Sequence, residues 1–141
     1  RLFFQDTHIE EMLLKGRSTI PHSIQTLMMI DSLDMTDADR KIILEHCKTC
    51  PEERIIVTHG TDTMTETALQ LGAAKLPKTI IITGAMVPYT FGSSDGMFNL
   101  GSSMAYVQCL PHGVYVVMNG KAYQWDNVMK NKKTGFFEPI S

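Results

Sequence analysis

The residues whose types and spacing could do chemistry lie in one short segment, Thr58-His59-Gly60-Thr61-Asp62-Thr63. Gly60 lets the backbone turn sharply, because it has no Cβ and tolerates conformations that other residues avoid. Thr61 presents a hydroxyl group, and Asp62 offers a carboxylate that could hold an ammonium group. A nucleophilic hydroxyl also needs a partner that takes its proton. The segment therefore indicates hydroxyl chemistry combined with recognition of a cation.

Two side chains are candidates for that proton partner. His59 is near Thr61 in sequence, but a packed, hydrogen-bonded histidine is the more frequent outcome for such a residue than an acid or base. Lys130 follows the last apolar strand and could reach the same crevice and serve as proton partner if its amine is partly desolvated. Lys132 and Lys133 are assigned to a solvated face.

Two further polar segments follow predicted strands, at positions 31–34 and 83–95. The Ser32 hydroxyl and the N–H groups of a helix opening at Thr63 would suit an anion, and Asp62 would suit a cation. Ser32 and Asp62 also fit simpler roles, as a turn former and a helix-capping residue. Taken together, the polar groups favour a ligand that carries both a carboxylate and an amine, which describes an α-amino acid.

The elements that must position these segments alternate between strands and helices. Strands are predicted at 24–30, 54–58, 79–83, 114–118 and 121–123, and helices at 6–16, from 36 onward, at 63–72 and at 94–109, with a helical turn and coil from 125. Apolar strands separated by helices are buried on both faces. The pattern therefore predicts an α/β fold with three layers, a mostly parallel sheet with helices on both faces. Ligands of such sheets bind at the carboxyl ends of the strands.

Local signals support several of these boundaries. Thr7 with Glu10, and Thr63 with Glu66, have the spacing of helix capping boxes. Asn119-Gly120 is typical of the tight turn between two antiparallel strands.

Composition excludes several classes of function. The 141 residues carry 13 Lys and Arg against 15 Asp and Glu, a net charge of −2, so no electrostatic attraction to nucleic acid or to an anionic membrane is expected. A hydrophobic fraction of 43% with 20% charged residues is typical of a globular domain rather than a disordered chain. No apolar run approaches the roughly 18 residues that a membrane span needs.

The three cysteines favour a reducing compartment, because an odd number argues against a disulfide framework. We therefore expect a cytoplasmic protein. Cys47 and Cys50 form a C-x-x-C pair, but no second pair completes a zinc site. The pair falls at the predicted C-terminal end of a helix, whereas a redox cysteine uses the helix N-terminus to lower its pKa. Redox or metal chemistry is therefore disfavoured.

A family resemblance runs through four blocks of the chain. The segment at 59–64, followed by Glu66-Thr67-Ala68, resembles the second signature of the bacterial-type L-asparaginases. Asp31-Ser32-Leu33-Asp34-Met35 resembles the family's substrate-carboxylate loop. Two more blocks follow in the family's order: Thr83-Gly84-Ala85-Met86 with Asp95 and Phe98-Asn99-Leu100, then Val117-Met118-Asn119 with Lys130. The resemblance covers nearly the whole chain from about Ile24.

The resemblance implies a role for each matching residue. Thr61 would activate or attack a side-chain amide, with Lys130 as its proton partner, and Asp62 would hold the substrate's α-amino group. The implied catalytic residues are Thr61, Asp62 and Lys130, and the implied substrate-binding residues are Ser32, Gly60, Thr61, Asp62 and Ala85. Ser32 would bind the α-carboxylate, and the backbone of Thr61 and Ala85 would contact the amide. The implied reaction is hydrolysis of L-asparagine to L-aspartate and ammonia, with no metal or organic cofactor.

Part of the family's pattern has no counterpart in residues 1–141. The first signature, a T-G-G-T-I-like strand and loop with another catalytic threonine, is absent, as are the tyrosine-bearing loop after it and the C-terminal domain. We expect the polypeptide to have a first strand before Arg1. The chain otherwise resembles short, single-domain relatives, and we treat residues 1–141 as one domain lacking its first strand. A homo-oligomer, a dimer or tetramer, is expected, because a second subunit would cover edge strands and help complete the site.

Two other functions remain open at this stage. One is a non-catalytic amino-acid-binding or regulatory domain that keeps Ser32 and Asp62 without turnover. The other is a related amidase that supplies ammonia to a tRNA-charging amidotransferase, which would need a partner subunit. Asparagine, glutamine or another amide all remain candidate substrates.

Overall fold

A computed structural model describes residues 4–141, with side chains from His8 onward. The helices are α1 (Phe4–Lys15), α2 (Asp37–Thr49), α3 (Met64–Ala73) and α4 (Gly96–Cys109). The strands are β1 (Arg54–Thr58), β2 (Thr79–Thr83), β3 (Gly113–Met118), β4 (Lys121–Gln124), β5 (Met129–Lys130) and β6 (Phe137–Glu138). Two short 3-10 turns lie at Ser32–Asp34 and Tyr89–Phe91.

The main sheet has the strand order β1-β2-β3-β4. The first three strands are parallel, in a register that places Thr58 opposite Thr83, and β4 is antiparallel to β3. Asn119 and Gly120 form the turn between β3 and β4 with positive φ values of 57° and 79°, as the sequence predicted. The mostly parallel sheet is therefore confirmed.

Helices cover both faces of this sheet. Side chains of the strands alternate between two apolar clusters, because successive residues of a strand point to opposite faces. Residues of α2 and α3 pack with Ile80 and Ile82 on one face, and Val107 of α4 packs with Ile81 and Val117 on the other. The predicted three-layer α/β architecture is confirmed. Among the described residues, no helix is long and apolar enough to cross a membrane.

Two predicted elements are wrong. Among the described residues, the run at 24–30 has no ladder partner and forms no strand; instead Leu27 and Met28 pack against the core cluster. Within residues 4–141, the outer edge of β1 has no paired strand. The tail is not a helical turn followed by coil: β5 and β6 form a two-stranded hairpin that places Lys130 opposite Phe137. Phe137 is buried, so the long-range burial of this side chain selects a hairpin that local propensity does not indicate.

Helix boundaries follow the predictions with small shifts. Thr36 caps α2 in a reciprocal capping box with Asp39. Helix α1 begins at Phe4 rather than at residue 6, so Thr7 lies inside the helix, and its side chain is outside the described residues. Gly72 lies within α3 rather than marking the end of that helix, which continues to Ala73.

The C-x-x-C pair lies at the C-terminal end of α2, as expected. The Lys78 ammonium donates to the carbonyl oxygens of Cys47 and Cys50, at 2.5 and 2.6 Å. These bonds satisfy carbonyl groups that a helix C-terminus leaves without partners. Burial raises the pKa of the Cys47 thiol to about 11, so this thiol is protonated at neutral pH and unreactive. Among the residues described, no group of three His, Cys, Asp or Glu side chains could hold a metal ion.

Gly72 is required by packing, and a pair of substitutions tests this. A Cβ on Gly72 would overlap the indole ring of Trp125, whereas a Cβ on Gly101, in α4, would meet nothing within 4 Å. We expect Gly72→Ala to lower the free energy of unfolding by about 1–3 kcal/mol through overpacking. Gly101→Ala should raise it by about 0.5–1 kcal/mol, because alanine restricts the unfolded chain and favours the helix.

Urea unfolding followed by far-ultraviolet circular dichroism measures both values. Equal effects of the two substitutions would contradict the close approach of Trp125 to α3.

Candidate active site

The segment between β1 and α3 lies at the carboxyl end of the parallel strands. The His59 amide donates to the Thr83 carbonyl at 2.9 Å, which extends the pairing of β1 with β2 by one residue. A Cβ on Gly84 would overlap the His59 carbonyl oxygen. A glycine after β2 therefore allows the backbone of the polar segment to approach the neighbouring strand end.

Three of the predicted site residues meet directly. The Lys130 Nζ donates to the Thr61 Oγ1 at 3.0 Å and to the Asp62 Oδ1 at 2.9 Å. The Lys130 side chain is 13% exposed, whereas that of Asp62 is 49% exposed. The amine is thus largely enclosed, while the carboxylate faces solvent on one side. These contacts join residues 68 and 69 positions apart in the sequence.

The hairpin that carries Lys130 is fastened to the main sheet through Phe137. The Phe137 amide donates to the Asn119 Oδ1 at 2.8 Å, and the Tyr123 hydroxyl donates to the Phe137 carbonyl at 2.9 Å. Phe137 is the ladder partner of Lys130. The tight turn after β3 and the strand β4 therefore fix the position of the lysine.

His59 is a buried, hydrogen-bonded side chain, as the sequence analysis favoured. Its Nδ1 lies 2.8 Å from the Gly60 carbonyl oxygen, and its Nε2 lies 2.7 Å from the Thr67 Oγ1. The Arg40 Nε donates to the same Thr67 oxygen at 3.2 Å. Burial lowers the pKa of His59, the Arg40 charge adds to this, and the bond to the Gly60 carbonyl opposes it.

Ser32 lies beside the polar segment but is enclosed. It is 2% exposed, and a Cβ on Gly60 would come within 2.8 Å of the Ser32 Oγ. The predicted capping box of Thr63 and Glu66 is wrong, because the Thr63 hydroxyl makes no cap bond and instead donates to the Ser32 carbonyl at 2.8 Å. The bond to the Ser32 carbonyl orients the hydroxyl so that it makes no bond with the N–H groups of the helix terminus.

Ala85 is partly buried and follows Gly84 at the end of β2. Among the described residues, no hydrogen bond joins Ala85 to Thr61, Asp62 or Lys130. The polar segment that follows β2, residues 84–95, is the third loop at this edge of the sheet. Asp95 closes this loop by accepting from the amides of Met86 and Val87 at 2.9 and 3.0 Å.

A shallow cavity of about 300 Å³ lies between the third loop and the β5–β6 turn. Its lining includes Asp95 and Asn119 but not Thr61, Asp62 or Lys130. The cavity therefore lies beside the β5–β6 hairpin that carries Lys130, but it does not include the contact of Lys130 with Thr61 and Asp62.

The arrangement can move a proton between a hydroxyl and an amine beside a carboxylate. The sequence analysis gave no role to Arg40 or Thr67, although the Thr67 hydroxyl joins Arg40 to His59. They lie 27 positions apart, and neither a motif nor a local spacing pairs an arginine in α2 with a threonine in α3.

Comparisons with known proteins identify the family of this chain. The family model described as "Asparaginase, N-terminal" matches residues 5–137. The chain is 36% identical over 119 residues to L-asparaginase 2 of Escherichia coli strain K12, covering 78% of this chain and 33% of that protein. It is 41% identical over 90 residues to a glutaminase-asparaginase of Pseudomonas fluorescens biotype A, covering 60% and 25% respectively.

The fold has a solved counterpart. A crystal structure of a probable cytoplasmic L-asparaginase from Campylobacter jejuni matches with a TM-score of 0.78 and 29% sequence identity, covering 86% of this chain and 41% of that one. The chain spans about a third or less of the length of the two curated relatives named here. The match to the family model over residues 5–137 shows that the chain belongs to the asparaginase family and corresponds to that family's N-terminal domain.

Proposed function

We propose that the protein hydrolyses the side-chain amide of L-asparagine, or of a related substrate such as L-glutamine, to the acid and ammonia. The observation that carries the proposal is the 3.0 Å contact between the Lys130 Nζ and the Thr61 Oγ1. A hydroxyl with an enclosed amine at hydrogen-bond distance is the arrangement that nucleophile activation requires. Membership of the asparaginase family supports the same class of reaction.

The proton moves from the Thr61 hydroxyl to the neutral form of the Lys130 amine. The Thr61 oxygen then attacks the amide carbon, or activates the water molecule that does so. When the C–N bond breaks, Lys130 returns the proton to the leaving nitrogen, which departs as ammonia. If Thr61 attacks, water hydrolyses the resulting ester and restores the hydroxyl. Either route converts one amide and one water into one carboxylic acid and one ammonia.

Substrate binding would use groups around the same contact. The Asp62 Oδ1 holds Lys130, so an α-ammonium group would bind at the other carboxylate oxygen, on the exposed side of Asp62. The Ser32 hydroxyl would bind the α-carboxylate, which requires this buried side chain to turn towards the crevice. The Thr61 and Ala85 backbone would contact the amide. Gly60, whose missing Cβ leaves room for Ser32, would contact the substrate through its backbone.

The protein would form a homo-oligomer, a dimer or a tetramer. Its small-molecule partner would be an amino-acid amide. Membership of the asparaginase family supports this part of the proposal. A cytoplasmic location remains a prediction from the cysteine content.

Substitution of Thr61 tests the nucleophile. Thr61→Ala should lower kcat for L-asparagine by at least about 10³-fold, because no other group at that position can lose a proton to Lys130. Thr61→Ser keeps the hydroxyl and should retain measurable turnover. Ammonia release from L-asparagine and L-glutamine measures both, and equal activity of wild type and Thr61→Ala would refute the role of Thr61.

Substitution of Lys130 tests the proton partner. Lys130→Met removes the amine while keeping a chain of similar length, and it should lower kcat by about 10²- to 10⁴-fold, the usual loss of a general base. Lys132→Met is the matched control, because Lys132 is exposed two residues away. Both variants are assayed for ammonia release at equal folded fraction, and equal kcat values for the two would contradict the proposal.

Substitution of Asp62 tests substrate recognition. Asp62→Asn keeps the shape but removes the charge that would hold the α-ammonium, and it should weaken binding of the product L-aspartate by about 10- to 100-fold. Isothermal titration calorimetry measures the dissociation constant without turnover. An unchanged value would remove Asp62 from the binding site.

The same measurements distinguish the proposed hydrolase from the non-catalytic alternative. A wild-type protein that binds L-aspartate and releases no ammonia from either amide would be an amino-acid-binding domain of asparaginase fold.

A further inference from the structure

A chain of hydrogen bonds runs from helix α2 to the segment that bears Thr61. The Gly60 carbonyl can only accept, so the His59 Nδ1 carries a proton. In a neutral imidazole the Nε2 is then an acceptor, and the Thr67 hydroxyl donates to it. The Thr67 oxygen accepts in turn from the Arg40 Nε. Each donor in this chain has an acceptor, and the whole arrangement is consistent with one tautomer of His59.

We propose that His59 is a positioning residue, which orients the peptide group between Gly60 and Thr61 and so sets the geometry of the reacting hydroxyl. This inference rests on the proposed amide hydrolysis. His59 acts through the backbone: its bonds are to Gly60 and Thr67, and the contact between Thr61 and Lys130 involves neither of its ring nitrogens.

The planarity of the peptide bond explains how this works. The Gly60 carbonyl and the Thr61 N–H belong to one peptide unit and point in opposite directions in a trans peptide. When His59 holds the carbonyl, the direction of the Thr61 N–H is fixed as well. That N–H is the backbone group of Thr61 that would contact the substrate amide. Rotation of the unit would displace it and the start of the Thr61 side chain together.

Gly60 makes such a restraint necessary. The close approach of Ser32 leaves no room for a Cβ on Gly60, so a stiffer residue cannot replace it. Glycine is the residue with the greatest backbone freedom, and it directly precedes Thr61. The hydrogen bond from His59 supplies the restraint that a side chain on Gly60 would otherwise supply.

The surroundings of His59 favour its neutral form. His59 is 9% exposed, and the charge of Arg40 in α2 acts on it. Both side chains also bond to the Thr67 hydroxyl in α3. A protonated ring would turn the Nε2 into a donor towards a Thr67 oxygen that already accepts from Arg40. The Thr67 proton would then be left with the Met35 sulfur, at 3.9 Å, which is a weak acceptor.

Two amide substitutions of His59 separate positioning from packing. Asparagine places an amide nitrogen near the position of the Nδ1, so His59→Asn keeps the donor to the Gly60 carbonyl. Glutamine places its amide near the position of the Nε2, so His59→Gln keeps the contact with Thr67 and loses the donor to Gly60. We expect kcat of His59→Gln to fall at least tenfold with little change in KM, and kcat of His59→Asn to stay within about threefold of wild type. Urea unfolding of both variants provides the comparison of stability.

A second readout does not depend on turnover. Hydrogen exchange at the Thr61 amide, measured by NMR, should be faster in His59→Gln than in wild type and should be near the wild-type rate in His59→Asn. Nitrogen-15 shifts of the imidazole should show a protonated Nδ1 and an unprotonated Nε2. Equal exchange rates in the three proteins, or the opposite tautomer, would overturn the positioning role.

These readouts keep the two proposals distinguishable. If the wild type hydrolyses neither amide, the proposed function fails, while the exchange rates and the tautomer still decide the role of His59. If the wild type is active and His59→Gln is equally active, the inference fails and the proposed function stands.

The lowered pKa of His59 also predicts a pH dependence of stability. Because the ordinary histidine value is 6.5 and the folded value lies below it, the unfolded state binds more protons between these two values. The free energy of unfolding should therefore fall as the pH decreases from about 6.5 through the folded pKa. Urea unfolding measures this between about pH 7.5 and about pH 5, the range in which histidine titrates. The free energy of unfolding should decline less in His59→Asn than in wild type. An identical decline in the two proteins would place the titrating group elsewhere.

Discussion

The contact of Lys130 with Thr61 and Asp62 is the interaction on which the rest of the site depends. It joins a loop at the end of a parallel strand to a small hairpin that is remote in sequence. A lysine side chain has many rotamers, and their loss has to be offset by its packing and hydrogen bonds. The bonds of Phe137 to Asn119 and Tyr123 fix the backbone opposite Lys130, so the lysine starts from a rigid position.

Close backbone approach is the second constraint, and glycine satisfies it at two neighbouring places. Gly84 allows the His59 carbonyl to approach the end of β2, and Gly60 allows Ser32 to pack beneath the segment. Each approach brings polar groups of different loops within reach of one another, at the cost of backbone freedom just before Thr61. The hydrogen bond from His59 compensates for that freedom. Rigidity at the site therefore comes in part from His59, whose positioning role the motif that contains it does not reveal.

Features that depend on local interactions could be predicted from the sequence pattern alone, whereas features that depend on contacts between distant residues could not. Strands β1 and β2 were predicted with the bounds that the structure shows, because continuous apolar runs between polar loops are local signals. The proximity of Lys130 to Thr61 followed from the resemblance to asparaginases and from the rule that ligands gather at the carboxyl ends of strands. The segment at 24–30 has the composition of a strand but forms none among the described residues. A strand needs a partner strand, and composition does not encode that partner. The β5–β6 hairpin and the bond between Arg40 and Thr67 are long-range features of the same kind.

The hydroxyl of Thr63 shows how a long-range contact can replace a local one that the sequence predicts. Its spacing from Glu66 favours a capping box, and a cap residue is typically worth about 1 kcal/mol. In the structure, its hydroxyl donates instead to the carbonyl of Ser32, which belongs to a segment without long regular structure. A capping bond would use the lone pairs of this hydroxyl and the bond to Ser32 uses its proton, so the two are not exclusive in principle. In this structure the orientation that brings the hydroxyl to the Ser32 carbonyl leaves the cap bond unmade. Helix α3 thereby lacks one local stabilising bond, and the start of the helix is tied instead to the segment of Ser32, which packs against Gly60.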